Sequence, residues 1–293
     1  MYFNSPLRYP GGKGKLAKFV KLIFQQNGLL DCHYVEPFAG GAGIALALLF
    51  DEYVSHVHIN DLNKSIYSFW HSVLNETDAL CDRILNTNVT LEEWHRQRCI
   101  QQQPQKVSQL DRGFSTFFMN RTNRSGIIKG GLVGGKKQNG KWKLDARFNK
   151  ENLVLRIRRI ARYRSRISIY NYDAAYFINK ILPTLPSSTL AYLDPPYYKK
   201  GQELYENFYE HNDHVEIANL VSGINKKWIV SYDNTPEILR LYNDYKYLIY
   251  SLSYSAAVRY KGSEIMFFSD DLDIPTVENP AKIKNSYVNS FLH

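Results

Sequence analysis

The sequence predicts an α/β fold in which helices cover both faces of a Rossmann-like, mostly parallel sheet, with a second, mostly helical domain inserted into it. Strand-like and helical segments alternate at both ends of the chain. This alternation stops from about residue 76 to 163, a stretch that includes the glycine- and lysine-rich segment IIKGGLVGGKKQNGKWK. The predicted domains are therefore a discontinuous sheet domain, an insert and a C-terminal extension. The sheet domain is predicted to comprise residues 1–75 and 164–270, the insert residues 76–163, and the extension residues 271–293.

The elements before the insert follow from hydrophobic periodicity. HYVEPF is typical of a buried strand, AGGAG of a turn, and IALALLFDEY of a helix. VSHVHIND predicts the next strand, and DLNKSIYSFWHSVLN predicts a helix with Ile66, Phe69 and Val73 on one face. These segments form the first half of the predicted sheet domain.

The elements after the insert resume the same alternation. RISIYNYD, STLAYLDPP and KWIVSYDN predict strands, and YLIYSLSY and EIMFFS predict the last two. HNDHVEIANLVSGIN predicts a helix that begins at Asn212 or Asp213 and ends near Gly223. TPEILRLYN predicts a helix with Pro236 in its first turn.

The insert has its own pattern. SQLDRGFSTFFMNRTNRSG predicts a helix followed by a loop, and the glycine-rich segment after it predicts a hairpin that turns at KKQNGK. KENLVLRIRRIARYRSR predicts a basic helix with Leu153, Ile157 and Ile160 facing inward. The insert is therefore expected to be mostly helical.

Charge is distributed unevenly along the chain, whose formal net charge is +9. Residues 112–166 contain sixteen Lys and Arg but only two acids, a net charge of +14, so the remainder carries −5. One basic block on a mildly acidic body is typical of an enzyme that binds nucleic acid. A solvated basic face without a partner is the alternative, although such faces normally mix both signs.

Composition narrows the class of protein. A hydrophobic content of 44% with 22% charged residues predicts a folded core rather than a disordered chain. Cys32, Cys81 and Cys99 lack CxxC spacing, so the sequence indicates neither a disulfide framework nor a zinc site, and a reducing cytoplasm is expected. The N-terminus lacks the apolar core of a signal peptide, and IALALLF is too short to span a bilayer.

The turn in VEPFAGGAG indicates a ligand site between a strand and a helix. Gly41 and Gly43 fit the dinucleotide fingerprint, but Leu46 occupies its third glycine position, which disfavours NAD. Such turns also serve FAD, S-adenosylmethionine (SAM) or tight packing alone. Asp61 ends the next strand, where an acid can accept hydrogen bonds from ribose hydroxyls. Capping of the following helix is the alternative role for Asp61.

The segment LAYLDPPYY places a rigid polar motif at the end of an apolar strand. Each proline fixes its own φ, and Asp194 is forced into an extended conformation because it precedes Pro195. The Asp194 carboxylate and the Pro195 carbonyl can then accept from one –NH2 group, while Tyr197 lies on the ring that bears it. This arrangement suits alkylation of an exocyclic amine. The alternative is a turn with a capping aspartate.

The motifs RYPGGKGK, VEPFAGGAG, IND, FFMNRTNRSG and LDPPYY occur in the order found in Dam-type adenine-specific DNA methyltransferases. The chain resembles this family from about Leu7 to Ser269. The resemblance implies transfer of a methyl group from SAM to the adenine amino group within a specific double-stranded DNA sequence. It further implies a cytoplasmic monomer, of prokaryotic or phage origin, that needs no metal.

Several alternatives remain open at this point. Methylation of the cytosine amino group, or of a glutamine side chain, is disfavoured because such relatives usually have Ser or Asn in place of Asp194. A non-catalytic nucleic-acid-binding protein is disfavoured by the intact Asp-Pro-Pro-Tyr motif. Partnership with a cognate restriction endonuclease that acts separately, phage defence and housekeeping methylation are equally compatible with the sequence.

The resemblance assigns roles to individual residues. The catalytic motif consists of Asp194, Pro195, Pro196 and Tyr197. The predicted cofactor-binding residues are Tyr9, Gly12, Lys13, Glu36, Pro37, Phe38, Gly40, Asp61 and Asp173. The residues predicted to read base edges are Asn120, Arg121 and Arg124. The basic charge of the insert, rather than the resemblance, predicts that Lys136, Lys137 and Lys141 contact phosphates. The glycine loop departs from the family's usual F-x-G-x-G, so which later glycine contacts SAM stays open.

Overall fold

The computed structural model describes residues 4–8, 12–199, 208–254 and 260–283. Seven strands form one sheet: β1 Cys32–Glu36, β2 Val54–Asn60, β3 Ile167–Tyr170, β4 Thr189–Leu193, β5 Trp228–Asp233, β6 Lys246–Tyr254 and β7 Tyr260–Phe268. The helices are α1 Ala17–Gln26, α2 Gly43–Phe50, α3 Lys64–Asn75, α4 Thr77–Asn86, α5 Leu91–Gln102, α6 Gln109–Thr122, α7 Lys150–Arg162, α8 Ala174–Tyr176, α9 His211–Ser222 and α10 Pro236–Leu241.

Two compact units divide the chain. The sheet unit consists of Lys13–Leu62, Arg166–Tyr254 and the described part of Arg259–His293. The helical unit consists of Asn63–Ser165 and the described part of Met1–Gly12. The predicted sheet domain ran on to residue 75, whereas the compact division assigns α3 to the helical unit. The functional assignment of the domains stays a prediction.

The sheet unit has the strand order β3-β2-β1-β4-β5-β7-β6. The first five strands pair in parallel, and β7 is antiparallel to both β5 and β6. Side chains alternate between the two faces of β1: Val35 belongs to a buried cluster that includes residues of α8, α9 and α10, whereas Tyr34 contacts Phe24 of α1. Helices on both faces of a mostly parallel sheet confirm the predicted fold class.

The helical unit is built around α6. Its Phe117 stacks on Phe69 of α3, with ring centroids 6.0 Å apart. A Cβ at Gly113 would lie 2.6 Å from the carbonyl oxygen of Ser68, so the backbones of α3 and α6 approach closely. This packing explains why α3 joins the helical unit. The predicted inward residues of α7, Leu153, Ile157 and Ile160, are all buried.

The predicted hairpin in the insert is wrong. Residues 133–147 form turns rather than paired strands, and one isolated bridge joins Asn123 to Leu132. The amide of Gln138 donates to the carbonyls of Val133 and Gly135 and accepts from the N–H of Leu144. One side chain therefore closes the loop where a hairpin would need paired backbone groups.

The start of α9 also differs from the prediction. The helix begins at His211, and Glu210 occupies the position before it. The Asp213 carboxylate accepts from the N–H of Glu210 at 2.7 Å, so Asp213 caps from inside the first turn. Asn212 and Asp213 are thus helical residues.

The C-terminal extension is described as far as residue 283. Asn27 at the end of α1 exchanges two hydrogen bonds with the backbone of Asp273, and Lys18 of α1 donates to the carbonyl of Ile283 at 2.9 Å. This part of the extension is therefore anchored to α1. Across the described ranges, no helix is long and apolar enough to cross a membrane.

Candidate active site

The predicted catalytic and cofactor residues gather at the carboxyl edge of the sheet. From the adjacent strands β1 and β4, the strand order runs in opposite directions, through β2 to β3 on one side and through β5 on the other. Ligands of open α/β sheets bind in the crevice at such a switch point. Glu36 is the last residue of β1, and Asp194 follows β4 directly.

The glycine loop between β1 and α2 is shaped by two left-handed residues. Gly40 has a φ of +46° and Ala42 a φ of +47°. Gly43 starts α2, where a Cβ would lie 3.2 Å from the Cα of Gly14. Gly40 is therefore needed for the turn and Gly43 for close packing, which leaves open which glycine contacts SAM.

Asp61 faces this loop. Its Oδ2 accepts from the N–H of Gly40 at 2.9 Å. The alternative role as a helix cap is wrong, because Asn63 caps α3 and accepts from the N–H of Ser65 at 2.8 Å. The carboxylate that ends β2 is thus held against the loop, as a ribose-binding acid would need to be.

Glu36 is buried between β1 and α2. Its Oε1 accepts from the N–H of Ala45 at 3.0 Å and from the hydroxyl of Tyr34 at 3.1 Å. Burial raises the pKa of Glu36 to about 8, even though both hydrogen bonds favour the ionised form. These contacts tie β1 to the start of α2, and a direct role in cofactor binding stays a prediction.

Asp194 is oriented by two donors on one oxygen. Oδ1 accepts from Ser231 Oγ at 2.8 Å and pairs with Lys13 Nζ at 2.9 Å. Among the residues that the structure describes, Oδ2 has no hydrogen-bond partner, and the side chain is 20% exposed. Burial raises the pKa of Asp194; Lys13 opposes this rise, and the charge of Glu264 adds to it.

A buried network lies behind Asp194. Tyr197 Oη donates to Glu264 Oε1 at 2.6 Å and accepts from Lys13 Nζ at 3.0 Å. Glu264 Oε2 accepts from Tyr250 Oη at 2.6 Å and lies 3.5 Å from Lys13 Nζ. One lysine is therefore shared by two carboxylates. Tyr197 is only 3% exposed, so its predicted stacking on a base stays a prediction, while its hydroxyl belongs to this network.

Sequence reasoning missed Glu264. Its only signal was a single acid at the start of the segment EIMFF, directly before an apolar run, and a carboxylate buried there needs a partner. Sequence reasoning also missed Asp233 at the end of β5, whose two oxygens accept from the N–H groups of Tyr198 (2.8 Å) and Lys199 (3.0 Å). Asp233 thereby fixes the chain that leaves the Asp-Pro-Pro-Tyr motif.

The remaining predicted cofactor residues lie in varied surroundings. Pro37 is buried, and Phe38 meets Tyr209 edge-to-face with ring centroids 6.0 Å apart. Asp173 caps α8 by accepting from the N–H of Ala175 at 2.9 Å. Gly12 is exposed, and Tyr9 lies outside the described residues.

The predicted base-reading residues belong to the helical unit. Asn120 is buried, and its amide exchanges hydrogen bonds with the backbone N–H and carbonyl of Arg8, both at 2.7 Å. A further bond runs to the carbonyl of Gly126 at 2.8 Å. These bonds do not support base reading by Asn120, because its amide is already committed. Arg121 bonds to backbone carbonyls, whereas Arg124 is exposed.

The predicted phosphate-contacting lysines, Lys136, Lys137 and Lys141, are all exposed. The Lys141 ammonium lies 5.8 Å from the ring centroid of the exposed Trp142. Exposure is compatible with phosphate contacts, which stay a prediction. Within the described part of the chain, no group of three or more His, Cys, Asp or Glu could hold a metal ion.

Comparison with known proteins identifies a matching family and several similar solved structures. A family model described as D12 class N6 adenine-specific DNA methyltransferase matches residues 9–256. No curated protein matches the chain. Among solved structures, the chain is similar to the rRNA methyltransferase aviRa from Streptomyces viridochromogenes, with 12% identity, a TM-score of 0.34 and coverage of 85% of this chain and 83% of that one. The chain is also similar to protein LPL1258 from Legionella pneumophila str. Philadelphia 1, with 14% identity, a TM-score of 0.35 and coverage of 95% of this chain and 90% of that one.

Proposed function

Because the chain belongs to the D12 class N6 adenine-specific DNA methyltransferases, we propose that the Asp194 site binds SAM and methylates the amino group of an adenine in double-stranded DNA. The observation that carries this proposal is the geometry of Asp194. Lys13 and Ser231 hold one carboxylate oxygen, and the other has no partner among the described residues. An oriented acceptor is what an amine nucleophile requires.

The residues at this edge of the sheet fit SAM. The left-handed residues Gly40 and Ala42 shape the turn between β1 and α2, and Asp61 beside it supplies acceptors for ribose hydroxyls. The nearby carboxylates also suit a positively charged sulfonium. When bound, SAM supplies an electrophilic methyl group.

Asp194 prepares the nucleophile. Its Oδ2 accepts one N6–H of adenine, and the carbonyl of Pro195 accepts the other. The amine then moves toward tetrahedral geometry, and its lone pair becomes available for attack. Burial raises the pKa of Asp194, so the carboxylate is a better proton acceptor than an exposed aspartate. The proton lost by the amine passes to Oδ2, and the 20% exposed side chain releases it to water.

The chemistry needs no covalent enzyme intermediate. SAM bound here would supply its methyl group directly to the nitrogen and would leave as S-adenosylhomocysteine, so a nucleophilic cysteine has no role. The adenine cannot be reached inside a duplex and must be flipped out, at a cost of a few kcal/mol. The basic segment 112–166, with its charge of +14, supplies the electrostatic attraction for DNA.

The proposal extends to the oligomeric state, the location and the target sequence of the enzyme. We propose a cytoplasmic enzyme that is encoded by a prokaryote or a phage. A monomer is consistent with the presence of every predicted catalytic residue in one chain. The contacts that the enzyme makes with base edges determine its target sequence, and Arg124 is the exposed candidate for such a contact.

Transfer of label from radiolabelled SAM to DNA, followed by identification of the modified base, tests the proposal. We expect N6-methyladenine. Labelled N4-methylcytosine, or label on protein, would contradict adenine as the substrate. SAM binding without transfer to any DNA would support a non-catalytic binding protein instead.

A further inference from the structure

Four arginines of the helical unit form a group without acidic partners. They are Arg8, Arg121, Arg147 and Arg156, and we refer to them as the arginine cluster. Throughout the described ranges, no member forms an ion pair with a carboxylate. The side chains of Arg8, Arg121 and Arg156 donate to backbone carbonyls, and the guanidinium of Arg147 lies 5.2 Å from the ring centroid of Trp142. These contacts do not neutralise the four charges.

Arg121 is at the centre of the cluster. Its Nε donates to the carbonyl of Arg147 at 2.7 Å, and one terminal nitrogen donates to the carbonyl of Pro6 at 3.4 Å. Burial, together with the charges of Arg8, Arg156 and Arg147, lowers the pKa of Arg121 to about 9. The guanidinium is therefore partly desolvated among like charges, an arrangement that costs free energy unless an anion offsets it.

The other members converge on the same part of the chain. Arg156 donates to the carbonyl of Ser5 at 3.2 Å, and its Nε is buried without a hydrogen-bond partner in the described structure. Arg8 donates to the carbonyl of Asn123 at 3.3 Å. The backbone of Arg8 is fixed by the two bonds from Asn120, so the cluster is preorganised.

We propose that the arginine cluster binds one phosphate group of the DNA backbone, an inference that rests on the proposed function. A guanidinium presents a planar fork of donors that matches phosphate oxygens, and Arg156 Nε is a donor still to be satisfied. A base edge would engage one guanidinium and leave the other charges unbalanced. Arg121 thus contacts phosphate instead of reading a base, and Asn120 positions Arg8.

Anion binding can be measured without SAM, DNA or catalysis. The melting temperature of the full chain is compared in sodium phosphate and in sodium chloride of equal ionic strength. We expect phosphate to raise the melting temperature of the wild type and of Arg162→Gln, a matched loss of one exposed charge on α7. Arg121→Gln should lose this response. In sodium chloride alone, the Arg121→Gln variant should melt no lower than the wild type, because the substitution removes repulsion between Arg121 and the other arginines of the cluster.

A purely structural Arg121 would behave differently. Loss of its bonds to Pro6 and Arg147 would lower the melting temperature in both salts, and phosphate would stabilise the wild type and the variant alike. That result would overturn the inference, whatever the outcome of the methylation assay.

DNA binding distinguishes backbone phosphate from free phosphate. Arg121→Gln should weaken binding to cognate and scrambled duplexes alike, by about 10- to 100-fold for a lost charged hydrogen bond. The slope of log K against log salt should flatten by about one. In a further experiment, each backbone phosphate of the duplex is replaced in turn by a neutral methylphosphonate linkage. At one position this replacement should weaken DNA binding by the wild type but not by Arg121→Gln. Weakening confined to the cognate sequence would assign Arg121 to base reading, and unchanged DNA binding would leave a site for free phosphate only; either result would contradict the inference.

Discussion

Glu264→Gln tests the electrostatic control of the catalytic carboxylate. Glu264 is 1% exposed, shares Lys13 with Asp194, and raises the pKa of Asp194 through its charge. Removal of that charge should lower the pKa of Asp194. Since methyl transfer requires ionised Asp194, activity should then persist to lower pH. Lys13→Met removes the opposing charge and should move the acid limb of the pH profile of the single-turnover rate to higher pH.

The expected size of each shift in the pKa of Asp194 follows from the distances between the charges. An opposite charge within 4–6 Å typically shifts a carboxyl pKa by about 1–3 units, and Lys13 Nζ lies 2.9 Å from Asp194. We therefore expect Lys13→Met to shift the limb by about 1–3 units. The effect of Glu264→Gln should be opposite and smaller, on the order of one unit, because the charge of Glu264 is shared with Lys13.

The assay is single-turnover methyl transfer at saturating SAM and DNA, measured from pH 5 to 9. Tyr250→Phe is the matched control, because it removes a hydrogen bond to Glu264 without removing a charge. Its acid limb should stay near that of the wild type. If Glu264→Gln slows transfer equally at every pH and lowers the melting temperature, Glu264 is structural and the electrostatic reasoning fails.

Three further predictions concern other parts of the chain. Asp61→Asn should weaken SAM binding by about 1–3 kcal/mol in calorimetry, and an unchanged Kd would remove Asp61 from the cofactor site. Burial, then two neighbouring histidines, lower the pKa of His58 to about 3, so its contribution to stability is complete above pH 6.5 and is lost as pH falls. At pH 5 the loss should approach about 2 kcal/mol in urea denaturation and be absent in His58→Gln; equal pH slopes would contradict this. Neutralising Lys136 and Lys137 should weaken binding to all duplexes and flatten the salt slope by up to ~2, whereas Arg124→Ala should cost about 1–3 kcal/mol on the cognate site alone. A salt titration that gives the reverse pattern would exchange the two roles.

Local pattern was sufficient for most of the fold. Strands and helices with strong periodicity, such as β4 and α7, are where the sequence predicts them because burial of one face specifies both period and element. The glycine-rich segment after α6 was predicted wrongly, since the contacts of Gln138 that close its loop are not a periodic signal.

The candidate site was predictable only where a motif is contiguous. Asp194 and Tyr197 stand in one short motif, and Lys13 in another, so each could be singled out. Their connection through Glu264 depends on β7 pairing with β5, a contact between residues far apart in sequence. For the same reason, no local signal distinguishes Arg121 in the arginine cluster from a freely exposed arginine such as Arg124.

Methyl transfer by Asp194→Ala is the most direct test of the account, because the unpartnered oxygen of Asp194 is proposed to accept the amine. We expect the single-turnover rate to fall at least ~10²-fold, the contribution of a positioned proton acceptor. The Kd for SAM should remain close to that of the wild type. A variant that binds SAM normally and methylates adenine at nearly the wild-type rate would contradict the catalytic role of Asp194.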